Sequence, residues 1–402
     1  MKYIVILGDG MADQREPELD NKTPLMVAGK PWIDLVAKNG QSGMLHTVPD
    51  EFHPGSEIAN LSVMGYNVAE VFEGRGSLEA ASMGVELKDG DLALRCNLIC
   101  VEGDILKNHS AGHISDKEAA ELVAYLNENL CPQGVTIYSG VSYRHLMVIK
   151  NGSKAVKCTP PHDVPGTPFE DVLPEAANED GQETAELIRS MILKSQELME
   201  NHPVNVARKA AGKDPANSIW PWSPGFRPAM KTMKELYGVN SSAVISAVDL
   251  IRGIGVYAGM EVIMVEGATG LYNTNYEGKA QAALDALKRH DFVYLHIEAS
   301  DEAGHEGDYK LKTKTIEYLD YRVVKTIWEE TQRWDEEVAI AILPDHPTPW
   351  KIKTHTREAI PFVIYKPGLE PDSVTQYDED ACKSGVIGEL SGNEFMKLFL
   401  KS

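Results

Sequence analysis

Three apolar runs along the chain are each followed, within a few residues, by an aspartate. The runs are YIVIL at 3–7, DFVYLHI at 291–297 and VAIAIL at 338–343. Asp9, Asp301 and Asp345 follow them in that order. Short continuous apolar runs rich in β-branched residues are typical of parallel strands that are buried on both faces. Each predicted strand therefore carries a carboxylate just beyond its carboxyl end.

The segments between the later strands have helical periodicity. Residues 278–289 and 313–330 carry apolar side chains at three- and four-residue spacing. Strand, helix and strand at these lengths predict the α/β class, with a parallel sheet covered by helices on both faces. In such sheets ligands bind at the carboxyl ends of the strands, which is where the three aspartates fall.

The middle of the chain has a different pattern. We predict strands at 91–101, 135–137 and 145–149, helices at 116–128 and 183–200, and an aromatic loop, WPWSPG, at 220–225. These elements predict a smaller α+β domain that interrupts the α/β domain. The predicted division is 1–80 with 238–402 for a discontinuous metal-binding domain, and 81–237 for the inserted domain.

Acidic and imidazole side chains accumulate after the later strands. Asp301 and His305 are four residues apart, so one helical turn would point both side chains the same way. Asp345 and His346 share one turn, and His355 follows nine residues later. With the aspartate after the first strand, they form a mixed oxygen and nitrogen set that suits Zn²⁺, Mn²⁺ or another borderline transition metal. Six such ligands are enough for two ions in one pocket.

Each of these motifs also has an ordinary structural interpretation. A lone Asp-His pair with helical spacing is common on helix surfaces, adjacent Asp and His are common in turns, and Asp9 could be a helix N-cap. All of them, however, follow predicted buried strands, where a charged group is costly unless it is paired or bound to a metal. We therefore predict a two-metal site.

A serine stands at the start of a predicted short helix. The segment 53–66, HPGSEIANLSVMGY, reads as a Pro-Gly turn that enters a helix with Ser56 at its start. The ordinary interpretation is an N-cap serine. The alternative is a nucleophile, because a divalent cation beside the hydroxyl lowers its pKa and the helix N-terminus favours phosphoryl oxygens.

Composition and charge limit the partners. The chain has 60 acidic and 39 basic side chains, a formal net charge of -21, and no cluster of Lys and Arg, so we expect no nucleic-acid or anionic-membrane surface. No apolar stretch is long enough for a membrane span or an export leader, and the five cysteines suit reduced thiols. We therefore predict a soluble cytoplasmic protein. An anionic substrate would need bound metals or local cations to overcome the negative field.

The order of these groups resembles the alkaline phosphatase superfamily and, within it, the cofactor-independent phosphoglycerate mutases of the shorter, archaeal-type branch. The matching segments run nearly from end to end: GDGMAD at 8–13, PGSEIANLSVMGY at 54–66, GRGSLEAASMGVEL at 74–87, HPVNVARKAAGKDPANSIWPWSPG at 202–225, VEGATG at 265–270, NYEGKA at 275–280, DEAGHEGD at 301–308 and LPDHPTP at 343–349. The resemblance implies an alkaline-phosphatase-like α/β fold and a mutase that needs two divalent metals but not 2,3-bisphosphoglycerate.

The resemblance also assigns roles to residues. One metal would be held by Asp9, Ser56, Asp345 and His346, and the other by Asp301, His305 and His355. Ser56 would take the phosphoryl group from phosphoglycerate, and the retained glycerate would take it back on its other hydroxyl, a step of glycolysis and gluconeogenesis. Mn²⁺ is the first choice of ion, with Zn²⁺, Co²⁺ and Mg²⁺ as alternatives. The partner is a small phosphorylated carboxylate, and homo-oligomerisation is left open.

Further cations are expected from the inserted domain, because two divalent ions only balance the ligand carboxylates and a serine alkoxide. The substrate-binding candidates are His109, His113, Arg144, His145, His162 and Arg252. Asp163 is the candidate for moving the proton between the glycerate hydroxyls. For each basic residue, a solvated or structurally paired side chain is an equally good interpretation. The paired arginines of the longer mutases have no match here, and the WPWSPG loop with Arg227 stands in their place.

Three other functions stay open at this stage. The same phosphoserine step would serve a homoserine-kinase-like phosphotransferase that uses another acceptor. A plain phosphohydrolase or phosphonatase is less favoured, because an insertion of roughly 150 residues suggests a lid that retains the intermediate. A metal-binding scaffold would require the serine to be incidental.

Overall fold

The computed structural model describes residues 1–401. Its strands, in chain order, are β1 (Lys2–Gly8), β2 (Gln41–His46), β3 (Asp91–Glu102), β4 (Ile105–Asn108), β5 (Val135–Tyr138), β6 (Arg144–Lys150), β7 (Val156–Lys157), β8 (Glu175–Ala176), β9 (Ser218–Gly225), β10 (Ser242–Ile245), β11 (Glu261–Val262), β12 (Phe292–Ile297), β13 (Val338–Leu343), β14 (Ile360–Tyr365) and β15 (Gly388–Ser391).

The α-helices, in chain order, are α1 (Pro24–Val27), α2 (Pro31–Lys38), α3 (Ser56–Val63), α4 (Val68–Val71), α5 (Arg75–Ser82), α6 (Asp116–Asn129), α7 (Gln182–Met199), α8 (Pro203–Ala210), α9 (Met233–Tyr237), α10 (Asp249–Tyr257), α11 (Tyr276–Leu287), α12 (Ala299–Glu306), α13 (Tyr309–Tyr318), α14 (Lys325–Thr331) and α15 (Glu394–Phe399). A π-helical segment, Leu319–Val324, joins α13 to α14. Short 3-10 helices lie at Pro17–Leu19, Phe169–Val172, Glu179–Gly181 and Ala381–Ser384.

The chain divides into two compact units. Unit 1 comprises Met1–Phe72 and Ala229–Ser402, and unit 2 comprises Glu73–Pro228. The sequence-based boundaries fall a few residues later, after 80 and after 237. Helix α5 belongs to unit 2 because it lies directly on β3: a Cβ at Gly76 would come within 2.7 Å of the carbonyl oxygen of Ala93.

Unit 1 is built on an eight-stranded sheet with the order β11-β10-β12-β1-β13-β14-β2-β15. The five strands from β11 to β13 are parallel, which confirms the α/β prediction. The sequence did not predict β14, which runs antiparallel to both of its neighbours, β13 and β2. Ile4 and Ile6 of β1 join the core formed with α2, α11 and α13, whereas Val5 and Leu7 point the other way and are equally buried. Both faces of the sheet are therefore covered.

Strand β1 lies between β12 and β13, and all three are parallel. Leu7 is opposite both His296 of β12 and Leu343 of β13. This register aligns Asp9, two residues after Leu7, with Asp345, two residues after Leu343. A shift by one residue would turn every side chain of the strand to the other face, so the burial of both faces fixes this alignment.

Unit 2 is built on a second sheet in which β3 pairs with β4, β6 and β9. The prediction of a loop at 220–225 is wrong, because these residues belong to β9. Proline 221 suggested a loop since it cannot donate a ladder hydrogen bond. Strand β9 pairs only with β3, and an edge strand tolerates a proline. The predicted helices of this region are present as α6 and α7.

Candidate metal centre

The aspartates after β1 and β13 meet because their strands are neighbours. The N–H of Asp9 donates to the carbonyl of Ile297 at the end of β12, at 2.9 Å, so Asp9 continues the ladder and is not a helix N-cap. Gly10 then turns the chain with a φ of +61°. A Cβ at Gly10 would lie 2.6 Å from Asp301 Oδ1, so the turn is packed directly against the third aspartate.

Four of the predicted ligands converge in what we call the buried cluster, which consists of Asp9, Ser56, Asp345 and His346. The Nε2 atom of His346 lies 3.1 Å from Ser56 Oγ, 3.4 Å from Asp345 Oδ2 and 3.7 Å from Asp9 Oδ1. Except for the half-buried serine, these side chains are almost inaccessible to solvent. The family resemblance implied that these four residues share one metal.

The other three ligands, Asp301, His305 and His355, form what we call the exposed cluster, because its two histidines are partly accessible to solvent although Asp301 is buried. Asp301 and His305 are one turn apart in α12, as predicted, and His305 Nε2 lies 3.2 Å from Asp301 Oδ2. His355 Nε2 lies 3.4 Å from Asp301 Oδ1 and 2.9 Å from His305 Nε2. The two clusters adjoin, because the rings of His346 and His355 stack at 3.9 Å.

The hydrogen bonds of His305 and His346 place a ring hydrogen on Nδ1, so Nε2 is the atom that each neutral ring can offer to a cation. His305 Nδ1 lies 3.0 Å from the carbonyl oxygen of Lys353, which can only accept, so Nδ1 carries the ring hydrogen. His346 Nδ1 lies 3.3 Å from Thr348 Oγ1, whose own hydrogen goes to Asp301 Oδ1. A metal-binding histidine commonly donates its second N–H in this way, which fixes the tautomer and the ring orientation.

The donor set fits two divalent cations. Four ligands about 2.1 Å from one ion in a tetrahedron lie roughly 3.4 Å apart, close to the separations in both clusters. Asp9 Oδ1 is buried and has no hydrogen-bond partner among residues 1–401, although it lies in the middle of the buried cluster. A buried carboxylate oxygen without a partner is costly unless a cation binds it.

Electrostatics in the cation-free chain differs between the clusters. Burial raises the pKa of Asp9 well above its usual range, and the carboxylates of Asp345 and Asp301 raise it further. Burial also lowers the pKa of His346. Burial acts to raise the pKa of Asp301, but hydrogen bonds from His305 and His355 outweigh it and hold that pKa well below its usual range. In turn, the hydrogen bond to Asp301 raises the pKa of His305 to about 9.

Ser56 is the first residue of α3, and Gly55 is the N-cap. The ordinary interpretation of Ser56 as a capping residue is therefore wrong, because its hydroxyl points to His346 instead of bonding the first turn of the helix. The Pro-Gly turn places the hydroxyl inside the buried cluster, where it is free to act as a ligand or a nucleophile.

The sequence analysis missed a layer of polar side chains beneath the buried cluster. Asn60, one turn after Ser56, donates to Asp345 Oδ2 at 2.8 Å and to the Ser56 carbonyl at 2.9 Å. Tyr294 O–H donates to Asn60 Oδ1 at 2.7 Å. His296, two residues along the same strand, contacts Asp9. The signal was visible in FVYLHI, because alternate polar residues in an otherwise apolar strand need buried partners.

Two more charged residues near the centre were not predicted. Carboxylate oxygens of Asp9, Glu298 and Asp301 lie within 4.8 Å of one another. Burial raises the pKa of Glu298 to about 8, and Asp301 adds to the shift. Lys279 is fully buried, with Nζ 3.4 Å from the Thr269 carbonyl, and burial lowers its pKa to about 8. Glu298 directly follows the apolar run 291–297, so a search for any carboxylate at a strand end would have found it, whereas Lys279 lies within α11 and carries no such signal.

Unit 2 contains a group of cationic and aromatic side chains that we call the cationic cluster; it consists of Arg75, Arg95, His109, His113, Arg144, His162, Tyr143 and Trp222. The guanidinium of Arg95 lies 4.4 Å from the Trp222 ring centre, and His162 contacts the same ring at 5.2 Å. Burial lowers the pKa of Arg95 to about 10. The positive charge of Arg75 lowers it further, whereas the carboxylate of Glu79 raises it. The sequence missed Arg75 and Arg95 and treated Trp222 as packing.

Backbone strain borders the cationic cluster. Ala111, Gly112 and His113 are three consecutive residues with positive φ, at 47°, 62° and 53°. Ser223, beside Trp222, also has a positive φ, 52°, and its hydroxyl accepts the N–H of Arg75 at 3.1 Å. Strained residues other than glycine are uncommon and concentrate at binding sites, because the surroundings must hold them in place.

Other predicted residues have different surroundings. His145 is buried in β6, where Nδ1 accepts the N–H of Gly140 at 3.0 Å, and burial lowers its pKa to about 4. Arg252 belongs to unit 1 and forms an ion pair with Asp249. Asp163 is exposed, with its carboxylate 3.5 Å from His162 Nε2.

Comparisons with known proteins agree with this geometry. A family model described as 2,3-bisphosphoglycerate-independent phosphoglycerate mutase matches residues 37–205. A protein of that name from Methanosarcina acetivorans is 48% identical over 403 residues and covers 100% of both chains. A probable 2,3-bisphosphoglycerate-independent phosphoglycerate mutase from Geobacter sulfurreducens is 45% identical, also over 100% of both chains.

Two solved structures share the fold over nearly the whole chain. The cofactor-independent phosphoglycerate mutase from Thermoplasma acidophilum matches with a TM-score of 0.70 and 25% identity, over 100% of this chain and 99% of that one. A protein from Pyrococcus horikoshii matches with a TM-score of 0.83 and 29% identity, over 99% and 96%. None of the helices in the described part of the chain has the length and apolar composition that crossing a membrane requires.

Proposed function

Since the chain belongs to the cofactor-independent phosphoglycerate mutase family, whose members are isomerases, we propose that it interconverts 2- and 3-phosphoglycerate through a phosphoserine at Ser56. The observation that carries the proposal is the Ser56 hydroxyl, which lies 3.1 Å from His346 Nε2 inside the buried cluster. A hydroxyl placed among metal ligands at the start of a helix is suited to attack phosphorus.

Ser56 is the proposed nucleophile. In the first half-reaction Ser56 reacts as its alkoxide: Oγ forms a bond to phosphorus while the bond from phosphorus to the glycerate oxygen breaks, and that oxygen takes a proton from Asp163. In the second half-reaction the other glycerate hydroxyl loses a proton and attacks the phosphoserine, which restores Ser56. We propose that Asp163 carries the proton between the two hydroxyls, with His162 holding its carboxylate.

We propose that the buried and exposed clusters each hold one divalent cation, with Mn²⁺ as the first choice and Zn²⁺, Co²⁺ or Mg²⁺ as alternatives. Oxygen and nitrogen donors without thiolates suit these ions. When bound, the cations supply Lewis acidity toward the phosphoryl oxygens and lower the pKa of the serine hydroxyl. Asp9, Asp301 and Asp345 are the carboxylates that neutralise them.

We further propose that the cationic cluster of unit 2 binds the anionic groups of the substrate. The chain carries a net charge of -21, so a phosphorylated carboxylate needs local cations to bind. Arg95, Arg144 and the exposed imidazoles of His113 and His162 offer planar donors that suit phosphate and carboxylate oxygens. His145 is left out because its ring is closed inside the sheet. Arg252 pairs with Asp249 and belongs to unit 1, outside the cationic cluster; Arg95 also pairs with a carboxylate, Glu79 at 3.1 Å, and offers the substrate only its remaining N–H groups.

Replacement of the nucleophile tests the proposal. We expect Ser56→Ala to abolish the conversion of 3-phosphoglycerate to 2-phosphoglycerate, followed by ³¹P NMR with Mn²⁺-loaded protein. Ser62→Ala is a matched control, because Ser62 lies in the same helix and its buried hydroxyl has no hydrogen-bond partner in residues 1–401. Activity of the Ser56 variant near that of the Ser62 variant would contradict the phosphoserine mechanism.

The substrate is tested separately. We expect wild-type protein to interconvert the two phosphoglycerates with no added acceptor and no 2,3-bisphosphoglycerate. If phosphate instead moves only when homoserine is added, the chain is a phosphotransferase and not a mutase. We also propose a cytoplasmic location, based on the acidic composition and the glycolytic reaction, which fractionation of cells would test.

A further inference from the structure

His296 is a fully buried histidine in an apolar strand. It lies near the end of β12, FVYLHI, and its exposed fraction is 0%. A polar ring in such a place destabilises the fold unless both nitrogens have hydrogen-bond partners. Both do: Nε2 lies 2.9 Å from Asp9 Oδ2, and Nδ1 lies 3.1 Å from Ser246 Oγ. With both nitrogens engaged, His296 is not itself a cation ligand.

The partners of His296 define where its hydrogen lies. Ser246 follows β10, which pairs with β12 so that Ile245 is opposite Leu295. The Ser246 hydroxyl oxygen accepts the N–H of Val248 at 3.0 Å, so its hydrogen is available for His296 Nδ1. Nε2 then carries the ring hydrogen and donates it to the Asp9 carboxylate, which can only accept when ionised. The ionised Asp9 carboxylate therefore sets this tautomer, and Ser246 satisfies the Nδ1 atom that it leaves as an acceptor.

This hydrogen bond gives the two carboxylate oxygens of Asp9 different surroundings. Oδ2 is occupied by His296, whereas Oδ1 lies 3.7 Å from His346 Nε2 and has no hydrogen-bond partner in the described chain. The backbone of Asp9 is fixed by its neighbours, since its N–H bonds Ile297 and its carbonyl accepts the Ser300 hydroxyl. The terminal torsion of an aspartate is soft, however, and backbone bonds do not hold it.

We propose that His296 is a positioning residue that holds Asp9 with Oδ1 directed into the buried cluster, and that Ser246 supports His296 by a hydrogen bond to Nδ1. The inference rests on the proposed pair of cations. Without the donor at Nε2, the carboxylate rotates freely and its ligand oxygen is no longer pre-oriented. Loss of a partner that orients a metal ligand typically weakens metal binding by about 10- to 100-fold.

Two substitutions of His296 test the orientation directly. His296→Met replaces the ring by an apolar side chain of similar length and so removes the donor. His296→Gln keeps an N–H donor near the Nε2 position. Mn²⁺ binding to the full chain is measured by titration calorimetry, and the coordination by the visible absorption of bound Co²⁺. We expect His296→Met to weaken one of two equivalents by about 10- to 100-fold, with a changed Co²⁺ spectrum, and His296→Gln to recover most of the affinity.

Two further variants make the result decisive. His290→Met is the matched control, because His290 is also largely buried beside β12 but bonds Glu261, and we expect it to bind both equivalents like wild type. Ser246→Ala leaves His296 in place without the hydrogen-bond partner of Nδ1, so the ring is held less firmly, and we expect an intermediate loss. If His296→Met does not fold, the Mn²⁺ affinity of Ser246→Ala decides whether His296 has a positioning role.

The outcomes separate this inference from the proposed function. If wild-type protein binds two equivalents and both His296→Met and Ser246→Ala bind them within about two-fold of wild type, the positioning role is wrong and the two-cation centre stands. If wild-type protein itself binds no Mn²⁺, the proposed cation centre fails, and this inference with it.

Discussion

The two clusters of unit 1 use the same ligand chemistry in different surroundings. In the buried cluster, the side chains of Asp9, Asp345 and His346 are at most 1% exposed. In the exposed cluster, His305 is 34% exposed and His355 is 18% exposed. The first cluster follows the ends of two central strands, and the second comes from one helical turn and a loop.

The support of the ligands differs in the same way. Side chains from neighbouring strands and helices hold the buried cluster, as in the bonds from Asn60 to Asp345 and from His296 to Asp9. In the exposed cluster, the Thr348 hydroxyl bonds the buried Asp301, but His305 is oriented by a backbone carbonyl in the loop at Lys353. We infer that the buried cluster is formed before a cation binds, whereas the exposed cluster adjusts to solvent protons and to the loop.

Gly10→Ala should disrupt the buried and the exposed cluster at once, so that the difference between them disappears. A Cβ there would lie 2.5 Å from Thr348 Oγ1 and 2.6 Å from Asp301 Oδ1, in a turn with a φ of +61°. We expect a loss of stability of about 2–4 kcal/mol from strain and overlap. Displacing ligands of both cations should lower mutase activity well over about 100-fold. Activity and urea unfolding measure the two effects.

Gly368→Ala separates strain from overlap. Gly368 has a φ of +79°, and a Cβ there would meet nothing within 4 Å. We expect Gly368→Ala to lower the free energy of unfolding by only about 1 kcal/mol and to leave the mutase activity unchanged. Equal losses in the two variants would mean that the packing of Gly10 against Asp301 has no role in the site.

The strand-end pattern was sufficient to predict the two carboxylates of the buried cluster, whereas Ser56 was grouped with them only by the family resemblance. An apolar run that stops at an aspartate identifies both the strand and the position of the carboxylate, and parallel neighbours bring such positions together. The four-residue spacing of Asp301 and His305 was sufficient to predict that their side chains meet, because residues four apart lie on the same face of a helix. The family resemblance grouped the seven ligands into two sets, and this grouping stays a prediction, because His346 also lies close to Asp301 and His355.

Other features depend on contacts that a single sequence does not encode locally. Strand β9 was missed because a proline is compatible with a strand only at an edge, and edge position is a property of the whole sheet. Arg95 and Trp222 were missed as a pair because they lie on different strands and meet only through the pairing of β3 with β9. Ser246 and His296 likewise meet through the pairing of β10 with β12.

The pH dependence of cation binding should distinguish the clusters. The pKa of His305 is raised to about 9 by Asp301, so below that pH a cation must displace a proton from its Nε2. We expect the affinity of the exposed cluster for Mn²⁺ to rise roughly 50-fold from pH 7 to pH 9. Calorimetry over this range, in buffers of different ionisation enthalpy, measures the released proton. The same dependence in His305→Gln would assign the proton to another group.

Removing one carboxylate should have opposite effects with and without cations. The pKa of Asp9 is raised in the folded chain, so above the usual aspartate value of about 4 the unfolded chain releases a proton that the folded chain keeps. Stability of the cation-free protein therefore falls as pH rises above that value. We expect Asp9→Asn to be more stable than wild type by about 1–2 kcal/mol at pH 7 and equal near pH 4. With Mn²⁺ the order should reverse.

The corresponding change in the exposed cluster should have the other sign. The raised pKa of His305 means that its pairing with Asp301 stabilises the cation-free fold below about pH 6.5, and this contribution is lost as pH rises through about 9. His305→Gln should therefore be less stable than wild type at pH 6 in urea unfolding without cations. If both variants shift stability in the same direction, the clusters do not differ in pre-organisation.

The smallest expected effect comes from one hydroxyl beneath the buried cluster. Tyr294 O–H donates to Asn60 Oδ1, and this bond fixes the Asn60 amide so that its N–H₂ group faces Asp345. In Tyr294→Phe the amide can turn over, which would direct an oxygen at the carboxylate. We expect roughly a three- to ten-fold loss of Mn²⁺ affinity at the buried cluster, with the exposed cluster unchanged.

Tyr276→Phe is the control for this last change. Tyr276 is also fully buried in unit 1, but its hydroxyl has no hydrogen-bond partner in the described residues, so its removal should leave both affinities unchanged. A loss in Tyr294→Phe that affects both clusters equally would point to a general loosening of the sheet. A loss confined to one equivalent would show that side chains two contacts away from the cation set its affinity, as a cluster formed before binding requires.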